Sequence, residues 1–339
     1  MHSRSIALIL SLLAASAQAT TYSLVDTFDS TNFFSTFDFF SSSDPTNGFV
    51  TYTTASEASG SGLAGYVNDM VYLGVDHTTV DPTSGRESTR VTSQSSYTKG
   101  LFVADIVHMP VGCGVWPALW TLGPNWPSGG EIDIIEGVNS QTTDEITLHT
   151  ASGCTMSNTG SSSATKFTTG TETVDCGSDD GYDGCAQSTT DTNNYGTGFN
   201  DNGGGVYAME WTSDFISVWF FSRSSSIAST LTSGSASPDS STFGTPTARF
   251  SGCDIDSFFS DHQIVINTDL CGDWAGNVWS EDATCSAKAS TCTTYVQQNP
   301  EAFTEAYWLI NSIKVYQQSS SSKREAALQT PVKPVPFMA

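Results

Sequence analysis

Glu131, Asp133 and Glu136 place three carboxylates within six residues, Glu131-Ile132-Asp133-Ile134-Ile135-Glu136, between Gly129-Gly130 and Gly137. Carboxyl groups on one surface can divide acid and base work, because neighbouring charges separate their proton affinities: one stays ionised as a nucleophile while another keeps a proton to donate. The isoleucines between the acids and the glycines at both ends predict a short strand. On a helix the acids would fan around the cylinder. Strand side chains alternate, so Glu131 and Asp133 share a face whose next position is Ile135. For Glu136 to rejoin them the strand needs one extra residue at Ile134-Ile135, which is a β-bulge.

With the bulged residue discounted, the α-carbons of Glu131 and Glu136 stand about 13 Å apart. Their side chains then bring the carboxyls to about 6 Å. Retaining glycosidases hold their acids about 5 to 5.5 Å apart and inverting ones about 6.5 to 9.5 Å, so the spacing falls between the classes and a concave strand favours retention. In isolation the same acids also fit a solvated edge strand or a cation site. Tryptophans argue for the catalytic alternative. Trp116, Trp120 and Trp126 precede the acids, and Trp274 sits in Cys271-Gly272-Asp273-Trp274-Ala275-Gly276. Indole faces stack on sugar rings, so these residues predict a sugar groove. Trp219, inside the apolar run Phe215 to Phe221, reads as core.

A net charge of -23 disfavours nucleic acid, anionic membranes and acidic polysaccharides as partners. Residues 1–19 combine Arg4, an apolar run and Ala17-Gln18-Ala19, a secretory signal too short to span a membrane. The mature chain is therefore expected outside the cell and off the membrane. All eight cysteines lie beyond that signal and none forms C-x-x-C, which predicts four disulfides of open connectivity.

Strand-like runs recur at 48–52, 70–75, 90–93, 101–107, 145–149, 206–211, 215–221, 263–267 and 308–316, parted by Gly, Ser, Asn and Asp clusters. An all-β, antiparallel sandwich over residues 20–317 follows, with long loops at 152–205 and 222–260. Residues 318–339 open on Ser319 to Ser322 and read as a disordered tail. Gly60-Ser61-Gly62-Leu63-Ala64-Gly65 matches a dinucleotide fingerprint, but a strand-like segment follows where a helix is required. The acidic loop 178–184 misses the EF-hand calcium pattern, so neither a metal nor another cofactor is expected.

The chain resembles secreted fungal β-1,3-glucanases (laminarinases) of glycoside hydrolase family 16. The resemblance rests on Gly85 to Arg90, His108-Met109-Pro110, Cys113 to Trp120, Asn125-Trp126-Pro127, the acid strand, Leu148-His149-Thr150, Asn202 to Gly205 with Tyr207 to Glu210, and Cys271 to Gly276. It implies a concanavalin-like jelly roll of two antiparallel sheets with an open concave cleft, acting as a monomer on β-glucan by endo cleavage with retention. It also implies Glu131 as nucleophile, Glu136 as acid/base and Asp133 as the residue that tunes them. His149 would lie beside the acids, and Arg86, Trp120, Trp126 and Trp274 would line subsites. The extra isoleucine is similar to the bulged laminarinase branch. A glucan transglycosylase and a non-catalytic glucan-binding lectin remain open alternatives.

Overall fold

The computed structural model describes residues 22–178, 183–233 and 237–318. The expected signal at 1–19, the centre of the acidic loop and the tail from 319 lie outside the described residues. The last strand, Tyr307–Gln318, runs one residue into the expected tail.

Two eight-stranded antiparallel sheets stack face to face, which is the expected jelly-roll sandwich. The sheet that carries the acids runs, strand by strand, Lys166–Phe167, Cys185–Ser188, Glu145–His149, Glu131–Glu136, Val115–Leu122, His262–Leu270, Arg90–Tyr97 and Phe37–Phe39. The opposing sheet is centred on Gly100–His108, flanked by Gly205–Trp211 and Tyr307–Gln318.

Alternation explains the long apolar runs of that second sheet. Phe102, Ala104 and Ile106 point into the core between the sheets, where they meet Leu119, Ile132 and Ile264. Leu101 and Val103 point the other way, onto Trp219, Phe221 and the helix Ser226–Thr232 through Ala228 and Leu231. Both faces are covered, so an antiparallel sheet here lacks the usual polar alternation. Trp219 is core as expected, its indole donating to Gly244 O at 3.0 Å.

The segments expected as long loops are partly ordered into elements. They contain the strands Thr155–Ser157, Thr173–Asp175 and Cys185–Ser188 and the helices Gly196–Asp201 and Ser226–Thr232. Val115–Leu122 is a central strand that the pattern does not announce, because Pro117 argues against one. Pro117 is tolerated because the acid strand has already ended, at Glu136 opposite Ala118. On the other side Thr268 faces Pro117 and spends its own N–H on Thr89 O, at 3.3 Å. The four disulfides pair Cys113 with Cys285, Cys154 with Cys253, Cys176 with Cys185 and Cys271 with Cys292. Among the described residues no helix is long and apolar enough to cross a membrane.

Candidate active site

Glu131, Asp133 and Glu136 reach one face through the bulge that their spacing requires. Across to Val115–Leu122, Glu131 stands opposite Leu122 and Asp133 opposite Trp120; the pairing then jumps to Ile135 with Leu119 and Glu136 with Ala118. Ile134 is the extra residue. Ile132, Ile134 and Ile135 are all buried in the sandwich core, which fixes the acids outward. Gly130 leads into the strand at φ +80 with a Cβ position that would lie 2.5 Å from Phe259 Cδ1, so only glycine makes this entry.

The same alternation turns Trp116, Ala118, Trp120 and Leu122 onto the acid face, and together with the acids they line a groove of ≈ 280 Å³. Each glutamate receives an indole. Trp126 donates to Glu131 Oε2 at 2.5 Å, and Trp116 donates to Glu136 Oε1 at 2.8 Å. Asp133 is buried between them, and His149 Nε2 stands 3.3 Å from its Oδ2. That oxygen has no well-aligned hydrogen bond, so the histidine contact is electrostatic before it is directional. His149 is held from behind by the Ser178 hydroxyl at 3.0 Å from Nδ1, and its backbone pairs with Glu131. Trp120 donates to Asn267 Oδ1 at 2.7 Å.

Burial raises the proton affinity of all three acids. Glu131 is pushed up to about 8, by desolvation first and then by the charge of Asp133. Asp133 is likewise pushed up to about 8, by desolvation first. Glu136 is raised well above the carboxylate range by desolvation and then by Asp133. Glu131 and Glu136 keep part of their surface open to the groove, whereas Asp133 does not. The cluster therefore holds protons that isolated acids would have lost, which suits one ionised nucleophile beside a protonated donor.

Arg86 is a correction. It is 0% exposed and does not line the groove. The strand Arg86–Ser88 pairs with Val50–Tyr52, and its alternation turns Arg86 inward and Glu87 outward. The guanidinium donates to Val296 O at 3.0 and 2.6 Å, Gln297 O at 3.2 Å and Asp76 Oδ2 at 3.1 Å. It thus caps the carboxyl end of the helix Cys292–Gln298. The arginine beside the groove is Arg90, over the Trp120 ring at 5.0 Å and the Phe40 ring at 4.6 Å. Trp274 meets the site through Trp116, edge to face at 5.7 Å.

Sequence reasoning passed over Arg90, Asn267 and Asp144 as site residues, and it placed Trp116 in the sugar groove without its bond to Glu136. That Trp116 faces the acids was within reach, since it lies four positions before Trp120 and so on the same strand face. Asp144 gives no local signal. Among the described residues, Glu131, Asp133 and His149 also form a group whose donor atoms all lie within 4.8 Å of one another, close enough to hold a metal ion. Trp126 spends an N–H on that same Glu131, a hydrogen-bond donor where a cation would compete.

Fold and site together define a glycosidase-like groove on a jelly roll, and the chain belongs to glycoside hydrolase family 16. The family model described as XgeA-like, catalytic GH16 domain matches residues 37–316. A probable endo-1,3(4)-β-glucanase of Aspergillus fumigatus is 47% identical over 332 residues, covering 94% of this chain and 49% of that protein. The chain thus spans about half the length of the curated relatives it matches. Laminarinase 16A from Phanerochaete chrysosporium, solved with 6-O-glucosyl-laminaritriose in donor and acceptor sites, is 42% identical with a TM-score of 0.81, covering 88% of this chain and 100% of that one. An elongating GH family 16 β-1,3-glucosyltransferase is 43% identical with a TM-score of 0.80, covering 87% and 100%.

Proposed function

We propose that this chain is an endo-acting, retaining hydrolase of β-1,3-glucan that also accepts mixed-linkage β-1,3/1,4-glucan. The observation that carries the reading is the bulged acid strand, with one indole donor on each glutamate in a tryptophan-lined groove. Glu131 attacks the anomeric carbon while Glu136 gives its proton to the departing glycosidic oxygen, leaving a glycosyl ester on Glu131. Glu136, now a carboxylate, takes a proton from water, whose oxygen displaces Glu131 and restores the starting acids. Asp133, between them, tunes both proton affinities through its charge. Trp120, Trp126 and Trp274 would stack on sugar rings, and His149 would orient Asp133. The mechanism uses no cofactor.

The protein would act outside the cell as a monomer, with its partner the glucan chain; secretion of the full chain and size measurement by light scattering check both points. Laminarin, lichenan and cellulose are the discriminating substrates. Reducing ends are expected from laminarin, fewer from lichenan and none from cellulose. Glu131→Gln is expected to abolish release, and full activity of that variant would overturn the reading. The 43% identical glucosyltransferase favours a second outcome, in which a glucan hydroxyl replaces water at the second step. Longer products at high oligosaccharide concentration would show it. Release of no sugar from any β-glucan would point to a glucan-binding lectin instead.

A further inference from the structure

Asp144 directly precedes the strand Glu145–His149 and is 0% exposed. That strand pairs with Glu131, Ile132 and Asp133 and no further, so the bulge leaves the backbone N–H of Glu136 without a ladder acceptor. Asp144 Oδ1 supplies one, at 3.0 Å. Its other oxygen, Oδ2, stands 3.1 Å from the hydroxyl oxygen of Tyr207. That same hydroxyl oxygen is 2.5 Å from the carbonyl oxygen of Asn194. A phenol carries one proton, and a carbonyl oxygen only accepts. The shorter contact takes the Tyr207 proton, which leaves two oxygens facing each other between Tyr207 and Asp144 unless the carboxyl brings a proton of its own.

We propose that Asp144 is a neutral, protonated carboxyl: its Oδ2–H donates to Tyr207, Tyr207 donates to Asn194 O, and Oδ1 accepts the Glu136 N–H. The titratable groups acting on this corner are Glu136 and Asp133 from the acid strand, the adjacent Glu145, and Tyr195 and Tyr207, with Asp191 beyond. All are acids or phenols, so an ionised Asp144 would face no compensating cation among them. Burial, with the Glu145 charge added, accordingly holds the Asp144 carboxyl well above the carboxylate range.

The carboxyl replaces the ladder bond that the bulge removes, and it does so without placing another negative charge beneath Glu136. Asp144 is therefore a positioning residue. Its catalytic consequence rests on the role proposed for Glu136; its protonation does not.

Infrared difference spectra of the wild type against Asp144→Asn, at a pH about three units above an ordinary aspartate, test the protonation without any substrate. A protonated-carboxyl stretch present in the wild type and missing from the variant is expected; loss of a carboxylate band instead overturns the proposal. On substrate, Asp144→Ala strands the Glu136 N–H and is expected to lower kcat at least about tenfold with KM within about twofold. Asp144→Asn offers the same acceptor and donor, so it is expected to restore most of that loss and leave both limbs of the pH profile in place. An acid or base limb moved by about half a unit or more in Asp144→Asn would show that a charge had been removed, and would also overturn it. Should Asp144→Ala fail to fold, the asparagine variant decides the question alone.

Discussion

The Trp116 indole donates to Glu136 Oε1 at 2.8 Å, so the glutamate farthest along the bulged strand is held by the strand that positions it. This bond favours the carboxylate and opposes the burial and the Asp133 charge that raise the proton affinity of Glu136. Trp116→Phe keeps the ring and removes the donor. The base limb of kcat/KM is then expected to move to higher pH, and kcat to fall about tenfold. A base limb that stays in place would show that Trp116 serves only as a surface.

The bulge predicts an asymmetry between insertion and deletion. Adding an alanine after Ile134 leaves an even spacing, but a regular strand then carries the second glutamate to about 20 Å from Glu131 instead of about 13 Å, which is expected to cost the contribution of a general acid, about 10² to 10⁴-fold in turnover. Deleting Ile134 restores strict alternation with Glu136 still on the groove face. The deletion variant is therefore expected to keep more turnover on laminarin than the insertion variant. The reverse order would contradict the register described for this strand.

Arg86 separates structure from binding. Replacing it with methionine leaves Asp76 and the Val296 and Gln297 carbonyls without their donor, and a broken buried pair costs about 3 to 5 kcal/mol. Urea unfolding is expected to show that loss while KM on laminarin stays within about twofold. A large KM change with unaltered stability would return Arg86 to the groove.

Stability is expected to fall as pH rises from about 5 to about 8. Glu131, Asp133 and Asp269 have proton affinities pushed up to about 8 by burial. Across that window the folded state holds protons that the unfolded chain has released, so the slope of unfolding free energy with pH is negative. Water reaches Glu131 through the groove, which trims its share, and a combined loss of about 2 kcal/mol or more is expected. Denaturant curves at the two pH values measure it. Asp269→Asn should flatten the dependence, and a rise in stability toward pH 8 would refute it.

The acid strand was legible because a period of two leaves one way to put Glu136 beside Asp133, and the core isoleucines enforce it. The sandwich was legible from its β-rich runs, although Pro117 hid the strand that carries Trp116 and Trp120. Arg86 misled because a charged residue in a glycine-flanked motif looks like a surface group, while its burial depends on carbonyls of a helix some two hundred residues away in the chain. Asp144 was invisible for the same reason: its partners Tyr207 and Asn194 come together only in the folded molecule.

In the proposed mechanism Glu131 forms the covalent glycosyl ester. A deactivated fluorosugar laminaribioside, followed by proteolysis and peptide mass mapping, tests it directly. One sugar adduct per chain is expected, on the peptide containing Glu131 and localised to that residue. An adduct on Glu136 or Asp133 would contradict it, as would release of product with inverted anomeric configuration and no adduct at all.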